Sequence, residues 1–127
     1  MSGTAYVDSS CIVAMVLEEP GARATATRLA KFTAVVSHAL LDAQVRSACA
    51  RERRAVPREE LDNIEFVKIE RALSDEIDRV LAAGYLRGAD CLHLATALYL
   101  SPIPAQLTFL TLDTSQRAVA KKLGFTV

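Results

Sequence analysis

Three aspartates of this 127-residue chain stand where carboxylates can do chemistry: Asp8, Asp90 and Asp113. Asp8 follows the strand-like run TAYV (4–7), and Asp113 follows LTFLTL (107–112). In an open parallel α/β sheet the C-terminal ends of the strands form the ligand-binding edge, so both carboxylates are expected at that edge. Asp90 opens the apolar stretch CLHLATALYL just after Arg87-Gly88, a setting in which acids are rare unless partnered. Each acid also suits a helix N-cap or first turn, although Ser9, Ser10, Thr114 and Ser115 compete for that role. Three carboxylates gathered at one edge repel unless a cation sits between them. The natural partner is a hard divalent cation with oxygen ligands, Mg²⁺ or Mn²⁺; no His/Cys cluster points to zinc. Such a site with no other nucleophile suggests metal-activated water attacking a phosphodiester.

The elements that must position these acids alternate in type. Strands are expected at 4–7, 32–36, 66–69 and 107–112, with 125–127 as an edge strand. Helices are expected at 11–17, 22–31, 39–53, 58–64, 74–83, 88–100 and 114–123. Ser37 is a candidate N-cap, and Gly84 and Gly124 are candidate C-caps. The connections are too long for hairpins, which argues for a parallel sheet with helices on both faces.

Composition bounds the rest. The length suits a single domain, 1–127, able to bury a core without a staple. Fifteen basic residues balance fifteen acidic ones, which disfavours a non-specific nucleic-acid coat and leaves room for a local basic patch. Cys11, Cys49 and Cys91 are odd in number and lack a C-x-x-C, as expected of buried thiols in a reducing cytoplasm. No signal-peptide pattern and no membrane-length apolar run is present, so a cytoplasmic protein is expected.

Four stretches together resemble the PIN-domain ribonucleases, of the small kind that forms the toxin half of VapBC toxin–antitoxin pairs. They are YVDSS (6–10), SHALLDAQVRSACARE (37–52), LRGADCLHLATAL (86–98) and FLTLD (109–113) followed by a helix and LGF. The resemblance implies a three-layer α/β/α sandwich around a parallel sheet of about five strands. It further implies a metal-dependent endoribonuclease with Asp8, Asp90 and Asp113 as metal ligands, an antitoxin docking near the first helices, and a homodimer. The second acidic position departs from the family's pattern, with Gln44 standing where Glu is usual. Asp42 lies roughly 200° away around the helix and could be recruited only by a shift or a longer reach. Gln44 can offer a carbonyl oxygen to a metal or water, but no charge. It is compatible with natural variation, with lost activity or with an introduced change.

Other residues carry two readings. Ser9, Ser10 and Thr111 could orient carboxylates or waters, or could serve as caps and strand formers. Arg46, Arg51, Arg53, Arg54 and Arg58 form either a phosphate-contacting patch or a solvated helix face paired with Glu52, Glu59 and Glu60. Arg46 and Arg87 are the best placed to meet RNA. His38 and His93 are expected to be structural or surface residues, since the chemistry needs no histidine. An alternative to the nuclease is a catalytically weakened PIN domain that binds protein or RNA. A phosphotransfer domain is disfavoured, because no D-x-D follows the first strand (Asp8-Ser9-Ser10).

Overall fold

The computed structural model describes residues 3–127. It places β1 at Thr4–Val7, α1 at Ser9–Val16, α2 at Ala22–Leu29, β2 at Ala34–Ser37 and α3 at Leu40–Glu52. After these come α4 (Arg58–Asp62), β3 (Glu65–Phe66), α5 (Ser74–Ala83), α6 (Gly88–Leu100), β4 (Thr108–Leu110) and α7 (Thr114–Leu123). A 3-10 turn, Pro104–Gln106, leads into β4.

The four strands are parallel in the order β3-β2-β1-β4. The chain moves outward from β1 through β2 to β3, then returns to the opposite flank of β1 as β4. The boundary between β1 and β4 is therefore a topological switch point, where the strand ends open a crevice. Asp8 donates its backbone N–H to the Leu110 carbonyl (2.9 Å), which holds the first acid against the end of β4.

Side chains alternate across the sheet with a period of two. Tyr6, Val36 and Phe109 enter the apolar cluster under α5, α6 and α7, with Leu94, Leu98 and Val80. Ala5, Val7 and Leu110 enter the opposite cluster, with Ile12, Leu41, Val45 and Cys49 from α1 and α3. The result is the expected three-layer α/β/α arrangement. Asp8 has the parity of Tyr6, so both turn toward α6.

β1 has the expected bounds, whereas the other three strands are shorter than the sequence suggests. β3 is Glu65–Phe66 rather than 66–69, because the pairing with β2 ends where the Val67 N–H bonds the Ser37 carbonyl (2.8 Å). Val67 and Ile69 still pack on the core, which accounts for the alternating pattern. The expected fifth strand, 125–127, contributes one parallel bridge, Thr108 to Thr126. The helix expected to run to residue 53 ends at Glu52, because Arg53 takes a left-handed conformation (φ 54°). Ser37 is not an N-cap: it lies in β2, buried, and its hydroxyl donates to the Val7 carbonyl (2.7 Å). His38 Nδ1 instead accepts from the Leu40 N–H (2.8 Å). Gly84 ends α5 in extended backbone rather than a left-handed cap. Its role is close approach, since a Cβ there would stand 2.9 Å from Val119 Cγ2 on α7. Gly124 does take the left-handed C-cap of α7.

Candidate active site

Asp8 ends β1 and is 3% exposed. It caps α1, its Oδ2 accepting from the Ser10 N–H (3.1 Å). Asp113 caps α7 in the same way, its Oδ1 accepting from the Gln116 N–H (2.8 Å). Capping and proximity to the site thus coexist, and the neighbouring Ser9 and Thr114 sit inside their helices. Asp113 lies a short loop beyond β4 rather than at its last residue. Asp90 lies in the first turn of α6 and caps nothing.

Asp90 senses the other two carboxylates. Burial, followed by the charges of Asp8 and then Asp113, raises the Asp90 carboxyl above its ordinary value, while Arg87 pulls weakly the other way. Buried hydroxyl and amide groups join the three acids. Gln116, fully buried, donates from Nε2 to the Asp90 carbonyl (3.2 Å). That fixes its Oε1 toward Thr111, whose hydroxyl stands 2.6 Å away. Thr111 Oγ1 also accepts from the Asp113 N–H (3.0 Å) and lies 3.2 Å from Ser10 Oγ. Ser10 Oγ in turn accepts from the Leu112 N–H (3.0 Å).

This network leaves Asp8 poor in donors. Thr111 has one proton, and the shorter bond to Gln116 takes it; Asp8 Oδ2 is the more distant neighbour at 3.3 Å. Asp8 Oδ1 is buried without a hydrogen-bond partner among the described residues. An ionised oxygen in that state is costly unless a cation reaches it. The residues therefore fit a divalent cation: one starved buried carboxylate, two half-buried ones beside it, and oxygen as the donor type throughout. Among the described residues, no three His, Cys, Asp or Glu side chains are already drawn together as a cage.

The fourth position behaves differently from expectation. His93 is fully buried, with Nε2 2.8 Å from Gln44 Oε1 and 3.6 Å from Asp8 Oδ1. Its Nδ1 lies 2.7 Å from the Tyr6 hydroxyl, which also accepts from the His38 N–H (3.0 Å). The Gln44 carbonyl oxygen is thus engaged within the protein, where the sequence left it available to a metal. His93 is structural, one of the two roles expected of it, and lies within the site, where burial lowers its pKa. Asp42 is not recruited: it pairs with Arg46 (2.9 Å) on an exposed stretch of α3. That pair turns Arg46 away as well, as the ~200° between residues two apart requires. Arg51 pairs with Glu52. Arg87, at the N-cap of α6, remains exposed beside Asp90. Ser9 makes no side-chain hydrogen bond among the described residues, and the orienting serine is Ser10.

Sequence reasoning passed over Gln116 and underrated His93. Both carried a signal: Gln116 completes an Asp-x-x-Gln capping spacing with Asp113, and His93 is the lone imidazole in an apolar helix, one turn after Asp90.

A parallel α/β sheet that brings Asp8, Asp90 and Asp113 toward its switch point defines a class of α/β folds with an acidic site at the strand ends. The family is narrower. The PIN domain model matches residues 5–122, and the chain belongs to that family, whose members are generally nucleases. Searches of curated proteins and of solved structures returned no match.

Proposed function

We propose that the chain is a Mg²⁺- or Mn²⁺-dependent endoribonuclease, the toxin of a toxin–antitoxin pair acting in the cytoplasm. The observation that carries the reading is Asp8 Oδ1, a buried carboxylate oxygen without a partner among the described residues, beside Asp90 and Asp113. Asp8, Asp90 and Asp113 would hold the cation, which when bound supplies Lewis acidity and an acidified water as nucleophile. Ser10, Thr111 and Gln116 fix the acids' orientation, and Arg87 stands where it can approach the RNA backbone.

The toxin reading carries with it a cognate antitoxin and a homodimer. It is supported by a groove of about 610 Å³ between α1, α2 and the segment joining α3 to α4, lined by Ile12, Met15, Val16, Ala26 and Val56 with Arg23 and Arg54 at its sides. Among the described residues no helix is long and apolar enough to cross a membrane.

Incubation of total RNA with the purified chain in Mg²⁺, Mn²⁺ or EDTA tests the reading. Discrete cuts that vanish in EDTA and in Asp8→Asn support it, and cuts that persist in EDTA overturn it. A second reading, a weakened PIN domain that binds rather than cleaves, is favoured by the engaged carbonyl of Gln44. It predicts cuts by Gln44→Glu alone.

A further inference from the structure

We propose that Gln44 is a substrate-positioning residue: His93 holds its carbonyl, so its amide N–H₂ faces the acid site as a donor to a non-bridging phosphate oxygen of the RNA strand. The proposal rests on the nuclease reading for its substrate, but the orientation of the amide is argued independently.

Two proton arrangements satisfy the chain Tyr6–His93–Gln44. In the first, the Tyr6 hydroxyl donates to Nδ1 and the Nε2–H donates to Gln44 Oε1. In the second, Nδ1–H donates to Tyr6 and Nε2 accepts from the Gln44 amide. The bond lengths of 2.7 and 2.8 Å serve either arrangement. Asp8 decides between them. Its unpartnered Oδ1 lies 3.6 Å from Nε2, so the second arrangement would set a ring lone pair against a buried carboxylate. The first sets an N–H there, attracted by Asp8 while it bonds to Gln44. The His38 N–H, donating to the Tyr6 oxygen, leaves the hydroxyl proton free to point at Nδ1. The tautomer follows from the partners of the ring.

With Oε1 turned to His93, the amide nitrogen is the other end of Gln44, which is half-buried, and it has no partner among the described residues. A glutamate at this place would accept from His93 in the same way and turn a second anionic oxygen outward, toward a cation. Gln44 turns donors outward instead. They repel a cation and suit an anionic oxygen, and a preplaced donor acts strongly in a partly dry site.

Three readouts test this. First, ¹⁵N-resolved NMR of the metal-free chain should show His93 as the Nε2–H tautomer; an Nδ1–H tautomer would overturn the proposal. Second, Mn²⁺ titration of Gln44→Ala should match the parent chain within about twofold, whereas Asp8→Asn should lose binding. A Gln44→Ala loss comparable to that of Asp8→Asn would make the carbonyl a metal ligand and overturn the proposal. Third, a short labelled single-stranded RNA, titrated without divalent cation, should bind Gln44→Ala about tenfold more weakly, the size of one charge-assisted hydrogen bond. Unchanged RNA affinity would also overturn it. Failure of the parent chain to bind Mn²⁺ would instead remove the metal-nuclease reading, leaving the tautomer and the RNA titration to judge Gln44.

Discussion

Two glutamine side chains flank Asp8, and they are used in opposite ways. Gln116 is buried with both ends engaged, its oxygen taking the Thr111 proton and its nitrogen donating to the Asp90 carbonyl. Gln44 is half-buried with one end engaged, on His93. The first amide is scaffold, whereas the second presents a group to the site. Yet both take a proton that could otherwise have gone to Asp8, one from Thr111 and one from His93. The surrounding polar groups thus satisfy one another and leave the acid short of donors. A buried anion in that state costs the fold stability, which the proposed cation would restore.

The largest effect should come from the acid itself. Asp8→Asn keeps the cap on α1 and removes the charge, so RNA cleavage in Mn²⁺ should fall by about 10²–10³, as expected for losing several kcal/mol of metal-centred stabilisation. The same variant should melt at a higher temperature than the parent without divalent cation, since the starved charge is gone. A lower melting temperature would mean that Asp8 is a structural anion, and the contrast between the two amides would lose its meaning.

The scaffold side should respond next. Thr111→Val leaves Gln116 Oε1 and the Asp113 N–H without their partner. Stability should fall by about 1–3 kcal/mol, read by chemical denaturation. Gln44→Ala removes the acceptor of the His93 Nε2–H, but Asp8 Oδ1 at 3.6 Å can take that proton's bond in its place, so the cost should be about 1 kcal/mol or less. Equal losses from the two variants would erase the distinction drawn between them.

The sheet and its acid-bearing edge were legible because they follow from strong local signals. TAYV and LTFLTL are β-prone runs closed by Asp, and α5, α6 and α7 begin and end where the sequence places them. The polar interior was not legible, because it depends on contacts far apart in the chain. Ser10 meets Thr111, and His93 meets both Tyr6 and Gln44, through pairings that only the folded sheet creates. Three strand lengths were overestimated for a related reason: past Phe66, Val67 keeps one bond to the Ser37 carbonyl, and Ile69 serves the core outside the strand pairing.

Asp90 tests the anionic side by pH. Burial and the charges of Asp8 and Asp113 hold its carboxyl above the unfolded value of 3.8, so the folded chain binds this proton more tightly than the unfolded chain. Stability should therefore fall as pH rises from that value through the raised one, and the full cost should persist at neutral pH. In metal-free buffer Asp90→Asn should be the more stable chain at pH 7, with the advantage fading as pH approaches 3.8. Thermal melts of the two chains across that range decide it. A constant difference would mean that Asp90 does not sense its neighbours.

The smallest effect should fall one face away on α3. Asp42 and Arg46 form an exposed pair at i, i+4, with side chains 37% and 45% exposed. Such pairs contribute about 0.3–0.5 kcal/mol and are screened by salt. Arg46→Ala should lower stability by no more than that and leave both RNA cleavage and RNA binding unchanged, because Asp42 holds the guanidinium on the face opposite Gln44. A clear loss of RNA affinity in Arg46→Ala would show that this pair opens in the complex. The RNA path would then run along α3 rather than over the Gln44 amide and the N-terminus of α6.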